Sequence, residues 1–290
     1  MSNPPLPSRR DFLATSAVAA TALAVGTARG ADASPYGSWN IGAQSYSFRD
    51  FDLEGALKNY QTLGLKYAEF FSRHIPLDSS PARIQAILNT CKQYGVTPAA
   101  YGVQQFTKDH DANRKNFELG KALGLKYLSA DPSKDSFDSL DKLCDEYKIA
   151  IGIHPHGPGG RPPRLTMHQW YSAEVILPAV KDHHPLIGTC IDTGHILRCI
   201  LLDKKLDPAD QIRQMGARNF GLHLKDFDEK TKAECIVGKG MLDVAGVLKA
   251  LKDVKFTGYI NLEYELNSKN PTPDMAEGLK VLQDAVKKVG

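Results

Sequence analysis

Eight short runs rich in β-branched and aromatic residues alternate along this chain with eight amphipathic stretches. The strand-like runs lie near 40–46, 65–70, 96–101, 125–130, 149–154, 187–192, 219–224 and 258–263, and the helical patterns near 53–63, 81–94, 110–123, 135–147, 167–181, 207–215, 243–252 and 274–288. Strands separated by helices are expected to be parallel neighbours, because a parallel strand is reached only through a crossover. Eight such units in about 250 residues match the size and count of a single (β/α)8 TIM barrel. An internal echo supports repeated units: Leu63-Gly64-Leu65-Lys66-Tyr67 returns as Leu123-Gly124-Leu125-Lys126-Tyr127, a helix end, a glycine cap and a strand start. The competing arrangement is an open doubly wound sheet. No G-x-G-x-x-G follows the first run, and polar chemistry closes at least four runs, where an open sheet would concentrate it at one switch point.

The last four runs end in packets of metal-ligand residues: His154-Pro155-His156, Asp192-Thr193-Gly194-His195, His223-Leu224-Lys225-Asp226 and Glu263-Tyr264-Glu265. In a barrel all strand C-termini open on one mouth, so these packets converge. Each alone has a plain structural account. Asp192 is also a good cap for a following helix, His223 a good core imidazole, and His-Pro-His a good turn. Together, an acid and an imidazole on neighbouring strands make Asp192 and His223 the expected metal ligands. Glu263 joins them, because an unpaired carboxylate at the end of an apolar strand is costly unless it meets a cation. Glu265 is the weaker candidate. Alternation places His154 and His156 on one side of an extended backbone, one to ligate and the other to touch substrate. A set of one of these two histidines with Asp192, His223 and Glu263 suits Zn, Mn, Co or Fe better than Ca.

Glu69 closes the second run as a candidate general base, substrate contact or partner to a ligand. Lys225 is a candidate for holding a substrate oxygen and Asp226 for orienting it or a histidine, although both also fit as plain loop charges. Tyr46, Phe48 and Arg49, with Tyr101, Gln104 and Gln105, supply aromatic and amide groups of the kind found in sugar pockets. Gly157-Pro158-Gly159-Gly160 leaves open space over the mouth. His110, His168, His183 and His184 read as surface residues.

A formal charge of +3 gives no reason to expect a nucleic-acid partner. Residues 1–33 read as an address: Ser8-Arg9-Arg10-Asp11-Phe12-Leu13, an Ala-rich run from Ala14 to Val25, then Ala31-Asp32-Ala33. This resembles a twin-arginine export signal and implies a periplasmic or secreted protein, with the barrel in residues 34–290. The Ala-rich run is too short and too weakly apolar for a membrane anchor. Five widely spaced cysteines without C-x-x-C indicate neither a disulfide framework nor a zinc ribbon.

The ordered words His-x-His-Gly-Pro, Asp-Thr-Gly-His-x-x-Arg, Gly-x-His-x-Lys-Asp, Gly-Lys-Gly-x-x-Asp (Gly238 to Asp243) and Gly-Tyr-x-x-x-Glu resemble the sugar phosphate isomerase/epimerase superfamily of xylose-isomerase-like barrels over most of residues 40–288. That resemblance implies one divalent metal ion (Mn, Zn, Co, Mg or Fe) held by Glu, Asp, His and Glu from the last four strands, and a small carbohydrate substrate. Asp192, His223 and Glu263 match three of the ligands, and His195 matches a substrate contact. His154 stands where the relatives place their first glutamate. The implied activity is sugar isomerisation or epimerisation by proton abstraction α to a carbonyl, with Glu263 or Glu69 as base and His154 or His156 as its counterpart. A metal-dependent lyase, dehydratase or hydrolase on oxidised sugars or 3-keto-glycosides, and a non-catalytic sugar-binding barrel, are the alternatives. An abasic-site endonuclease is disfavoured by charge and by too few ligands for a three-metal cluster.

Overall fold

The computed structural model describes residues 34–161 and 163–290, so the export signal expected in residues 1–33 lies outside the described residues. The barrel strands are β1 (Asn40–Gln44), β2 (Tyr67–Phe70), β3 (Thr97–Phe106), β4 (Tyr127–Pro132), β5 (Ala150–Ile153), β6 (Ile187–Asp192), β7 (Asn219–Leu224) and β8 (Tyr259–Leu262). They close in chain order into a parallel barrel, sealed by β1 against β8 with Asn40 opposite Tyr259 and Ala43 opposite Leu262. The expected (β/α)8 TIM barrel is the fold.

The helices are α1 (Leu53–Thr62), α2 (Pro81–Gln93), α3 (His110–Leu123), α4 (Phe137–Tyr147), α5 (Ala173–Val180), α6 (Thr193–Arg198), α7 (Pro208–Met215), α8 (Val244–Asp253) and α9 (Thr272–Val289). Their starts follow from short acceptors that take up otherwise orphaned backbone amides. Asp52 accepts from Gly55 N at 2.7 Å, Asp109 from Ala112 N at 3.0 Å and Asp243 from Gly246 N at 2.9 Å. Their inner faces follow the helical period: Met275, Leu279, Leu282 and Val286 of α9 are all buried. Gly124 ends α3 with φ 73°, and Gly64 takes φ 67° at the matching place after α1. A Cβ at Gly124 would meet no atom within 4 Å, so only backbone strain opposes a side chain there. Gly124→Ala is expected to destabilise the fold by about 1 kcal/mol, read from the denaturant midpoint at unchanged slope.

Three expectations are corrected. The helix placed at 167–181 begins only at Ala173, because an antiparallel pair, Gly159–Arg161 with Arg164–Thr166, occupies the preceding loop. A second antiparallel pair, Asp226–Asp228 with Ala233–Cys235, follows β7. Phe48 and Tyr101 are fully buried, because β3 runs on to Phe106 and turns Tyr101 into the core, where its hydroxyl donates to Ile75 O at 2.9 Å. His110, His168, His183 and His184 are half-buried and partnered. His183 Nδ1, for example, lies 2.8 Å from Asp141 Oδ2, with its ring stacked on Phe137. All five cysteines are free. Among the described residues no helix is long and apolar enough to cross a membrane.

Candidate active site

The four packets meet at the mouth. Asp192 is the last residue of β6 and lies in register with His223 of β7, while His154 and Glu263 directly follow β5 and β8. Backbone economy brings β6 and β7 this close: Thr193 Oγ1 donates to Lys225 O at 2.6 Å, and Lys225 N donates back to Thr193 Oγ1 at 2.9 Å. Gly194 belongs to the same contact, since a Cβ there would lie 2.6 Å from that of Lys225. Asp192 is placed for both tasks open to it. Its Oδ1 caps α6 by accepting from His195 N at 2.6 Å, and its Oδ2 turns toward the other packets.

His223 Nδ1 lies 3.0 Å from His154 Nε2, 3.1 Å from Glu263 Oε2 and 3.9 Å from Asp192 Oδ2; His154 Nε2 lies 3.4 Å from Asp192 Oδ2. Bonds of about 2.1 Å in a tetrahedral arrangement would put donor atoms about 3.4 Å apart, so two imidazole nitrogens and two carboxylate oxygens here stand at metal-ligand spacing. Asp192 Oδ2 is buried without a hydrogen-bond partner, an expensive state for a carboxylate oxygen unless a cation meets it. Electrostatics agree. Burial alone would keep His223 neutral, yet Cys190, Glu69 and Glu263 push its pKa well above the imidazole range. The site draws in a proton, and a divalent cation competes for the same lone pair. Burial would raise the Asp192 and Glu263 carboxyls. Instead, His195, Lys225 and His154 hold Asp192 ionised, and Lys225 and His223 hold Glu263 ionised. The donor set therefore fits a divalent cation.

Glu69 lies beneath this cluster. It is fully buried, its Oε2 lies 3.0 Å from His223 Nε2, and it accepts from Tyr127 Oη at 2.9 Å, Gln44 Nε2 at 2.9 Å, Asn261 Nδ2 at 3.0 Å and the Ser129 hydroxyl. Burial would raise its pKa, but His223, Ser129 and Tyr127 together lower it. It does not line the mouth cavity. Of the three roles the sequence leaves open for Glu69, its contact with the far nitrogen of His223 matches that of a partner to a ligand, the place carboxylates take behind ligating imidazoles.

Lys225 is only 4% exposed and sits among three carboxylates: 3.6 Å from Glu263 Oε2, 3.6 Å from Glu234 Oε2 and in a close pair with Glu265. They raise its pKa well above the usual lysine value against the effect of burial. Glu234 arrives from the pair after β7 and also accepts from Glu265 N at 2.7 Å. Burial pushes its carboxyl up to about 7 despite Lys225. Asp226 is held by the loop that follows it. Both of its oxygens are taken by backbone amides, Phe227 N at 2.8 Å and Leu242 N at 2.9 Å on Oδ1, Gly238 N at 2.9 Å and Gly240 N at 3.0 Å on Oδ2. It organises the loop from 226 to 242 and has no oxygen left for substrate. Asp226→Ala leaves four amides without their acceptor and is expected to cost about 1–3 kcal/mol of stability, measured by chemical denaturation.

Above the donors is a cavity of about 400 Å³ lined by Gln44, Tyr46, Phe71, Gln104, His154, His156, His195, Glu263 and Glu265. Tyr46, 37% exposed, forms a rim, with Arg49 stacked on its ring at 4.8 Å. His156 and His195 are held neutral. Burial, then His154 and His168, lower His156 to about 3, and burial lowers His195 well below the imidazole range although Asp192 opposes it. Among the described residues no arginine or lysine lines this cavity. His168, with Asp131 and His156, makes a further group of close polar atoms. There, Trp170 N donates to His168 Nδ1 at 3.2 Å, which leaves the ring hydrogen of a neutral His168 on Nε2, 3.6 Å from Asp131 Oδ1. That tautomer serves an Asp–His pair better than a metal.

The mouth of a parallel eight-stranded barrel thus gathers two histidines, one aspartate and one glutamate, a group that could hold a metal ion. The chain belongs to the xylose isomerase-like TIM barrel family, whose model matches residues 57–285. Among solved structures it is similar to an uncharacterized protein from Parabacteroides distasonis, with 26% identity and a TM-score of 0.65, covering 85% of this chain and 99% of that one. A D-tagatose 3-epimerase-like protein shares the fold at 17% identity and TM-score 0.68, covering 86% and 98%. The 3-keto-D-glucoside 4-epimerase from E. coli does so at 14% and 0.65, covering 85% and 99%. None of the curated protein sequences compared matches this chain.

Proposed function

We propose that the protein is a divalent-metal-dependent sugar isomerase or epimerase that abstracts a proton α to a carbonyl. The observation that carries this reading is the convergence of His154, Asp192, His223 and Glu263 beneath a cavity lined by amides, imidazoles and carboxylates. These four residues would hold the ion, which when bound supplies Lewis-acid polarisation of a carbonyl and its neighbouring hydroxyl. Glu263, ionised and facing the cavity, takes the proton. Lys225 holds Glu263 ionised from below and is itself too enclosed by carboxylates to bind an anion. His156 and His195, both neutral, donate to or accept from sugar hydroxyls across the cavity, and Tyr46 and Phe71 cover ring faces. The likeness of fold to sugar epimerases supports the reading, and the export-like N-terminus favours free sugars outside the cytoplasm as substrates.

One observation favours a second reading. Two-sided proton transfer uses two glutamates of the metal set, and here His154 stands in place of one, leaving Glu263 as the single glutamate of the four. A single base with an imidazole to protonate a leaving group is the arrangement for β-elimination. Incubation of the metal-loaded protein with ketoses and 3-keto-glycosides in D2O, followed by NMR and mass spectrometry, separates them. Deuterium at a C–H adjacent to the carbonyl without fragmentation supports isomerisation or epimerisation, and exchange with loss of the substituent supports elimination. No exchange on any substrate overturns both.

A further inference from the structure

His156 and His195 are a shared wall. Beyond them lies a second compartment of about 510 Å³, whose other sides include Pro158, Gly159, Met167, His168, Gln169 and Arg198. Its outer edge is the antiparallel pair Gly159–Arg161 with Arg164–Thr166, which supplies none of the four metal-site donors and adds no strand to the barrel. The barrel closes without this pair, whose Gly159 and Thr166 line the compartment.

The chemistry of the compartment points to a ligand. Arg198, at the end of α6, is half-buried, and its guanidinium has no ion pair or hydrogen bond among the described residues. An arginine whose guanidinium has no partner among the described residues is a ready recognition group for oxygen atoms. Met167 and Pro158 add an apolar patch for a ring face. Ligand pockets combine such a surface with a few placed polar groups. The lining of the central cavity, in contrast, has no arginine or lysine among the described residues.

We propose that the substrate is a glycoside: the reacting ring occupies the central cavity, the linkage passes beside His156 and His195, and the second unit rests on Met167 and Pro158 with its oxygens on Arg198. This rests on the sugar-enolising reading above and adds the class of sugar. Gly159 provides a direct handle. Gly159 lines the compartment, a Cβ built there meets nothing within 4 Å, and its φ is outside the left-handed region, so a large side chain can be added at this wall without backbone strain.

The test compares the binding of D-glucose and D-fructose with that of cellobiose, lactulose and 4-nitrophenyl β-D-glucoside, by calorimetry and saturation-transfer NMR, on the full chain supplied with Mn²⁺. At least one two-unit probe is expected to bind about tenfold more tightly than either monosaccharide. Gly159→Trp and Arg198→Ala are each expected to remove most of that advantage while leaving monosaccharide affinity within about twofold. Equal affinity for one-unit and two-unit probes, or an equal loss for both classes in Gly159→Trp with unchanged thermal stability, overturns the glycoside assignment alone. Binding of none of the five sugars overturns the sugar reading and the glycoside assignment with it.

Discussion

Glu263→Gln is expected to lower turnover by about 10²–10⁴-fold, the usual contribution of a positioned proton-transfer group. The amide keeps the shape of the side chain and one oxygen donor, but it cannot take a proton, and it removes the charge that faces His223 at 3.1 Å and Lys225 at 3.6 Å. The effect is expected mainly in kcat, with substrate affinity changed far less, because the lost interaction is one made in the transition state. Steady-state kinetics together with the metal content of the purified variant separate loss of the base from loss of the ion. Full turnover with metal retained would remove Glu263 from the chemistry.

Lys225→Met is expected to destabilise the protein by about 3–5 kcal/mol, the range seen when one partner of a buried ion pair is removed. The ammonium is enclosed by Glu234, Glu263 and Glu265, and among the described residues no other lysine or arginine forms an ion pair with them. Methionine fills the same volume, so the loss comes from uncompensated charge and not from a void. Adding Glu265→Gln to this variant removes one of the stranded carboxylates and should restore part of the stability, the signature of coupled residues. Urea denaturation of the wild type, both single variants and the double variant measures the coupling. Independent, additive changes would show that the lysine is not held by this cluster.

The barrel is legible in the sequence because its strands are buried on both sides and read as apolar runs, and because helix periodicity and caps such as Asp109 and Asp243 mark the segments between them. Asp192, His223 and Glu263 are legible for a related reason: a charged or imidazole side chain that closes an apolar run is conspicuous. Less visible is anything that depends on which side chains share an interior. Glu69 reads like one more strand-end acid. Only its neighbours Gln44, Tyr127, Ser129 and Asn261, polar residues inside strands that otherwise read as apolar, show that it lies below the donors. Those breaks in the apolar pattern are the available signal. Glu234 escapes sequence reading because it comes from a three-residue strand, too short to carry a period. Asp226 misleads because an aspartate that binds amides up to 16 residues ahead leaves no local mark. The His-Pro-His packet stays open in the sequence as to which imidazole would ligate; in the fold both line the cavity, and His154 is the one grouped with Asp192, His223 and Glu263.

One ion at one place is the centre of the proposed chemistry. Crystals grown with Mn²⁺, Co²⁺ or Zn²⁺ and measured on both sides of each metal's absorption edge should show a single strong anomalous peak at the barrel mouth, about 2.0–2.2 Å from His154 Nε2, Asp192 Oδ2, His223 Nδ1 and a Glu263 oxygen. A peak held instead by Asp131, His156 and His168, or no peak at the mouth with any of the three metals, would contradict the four-residue site.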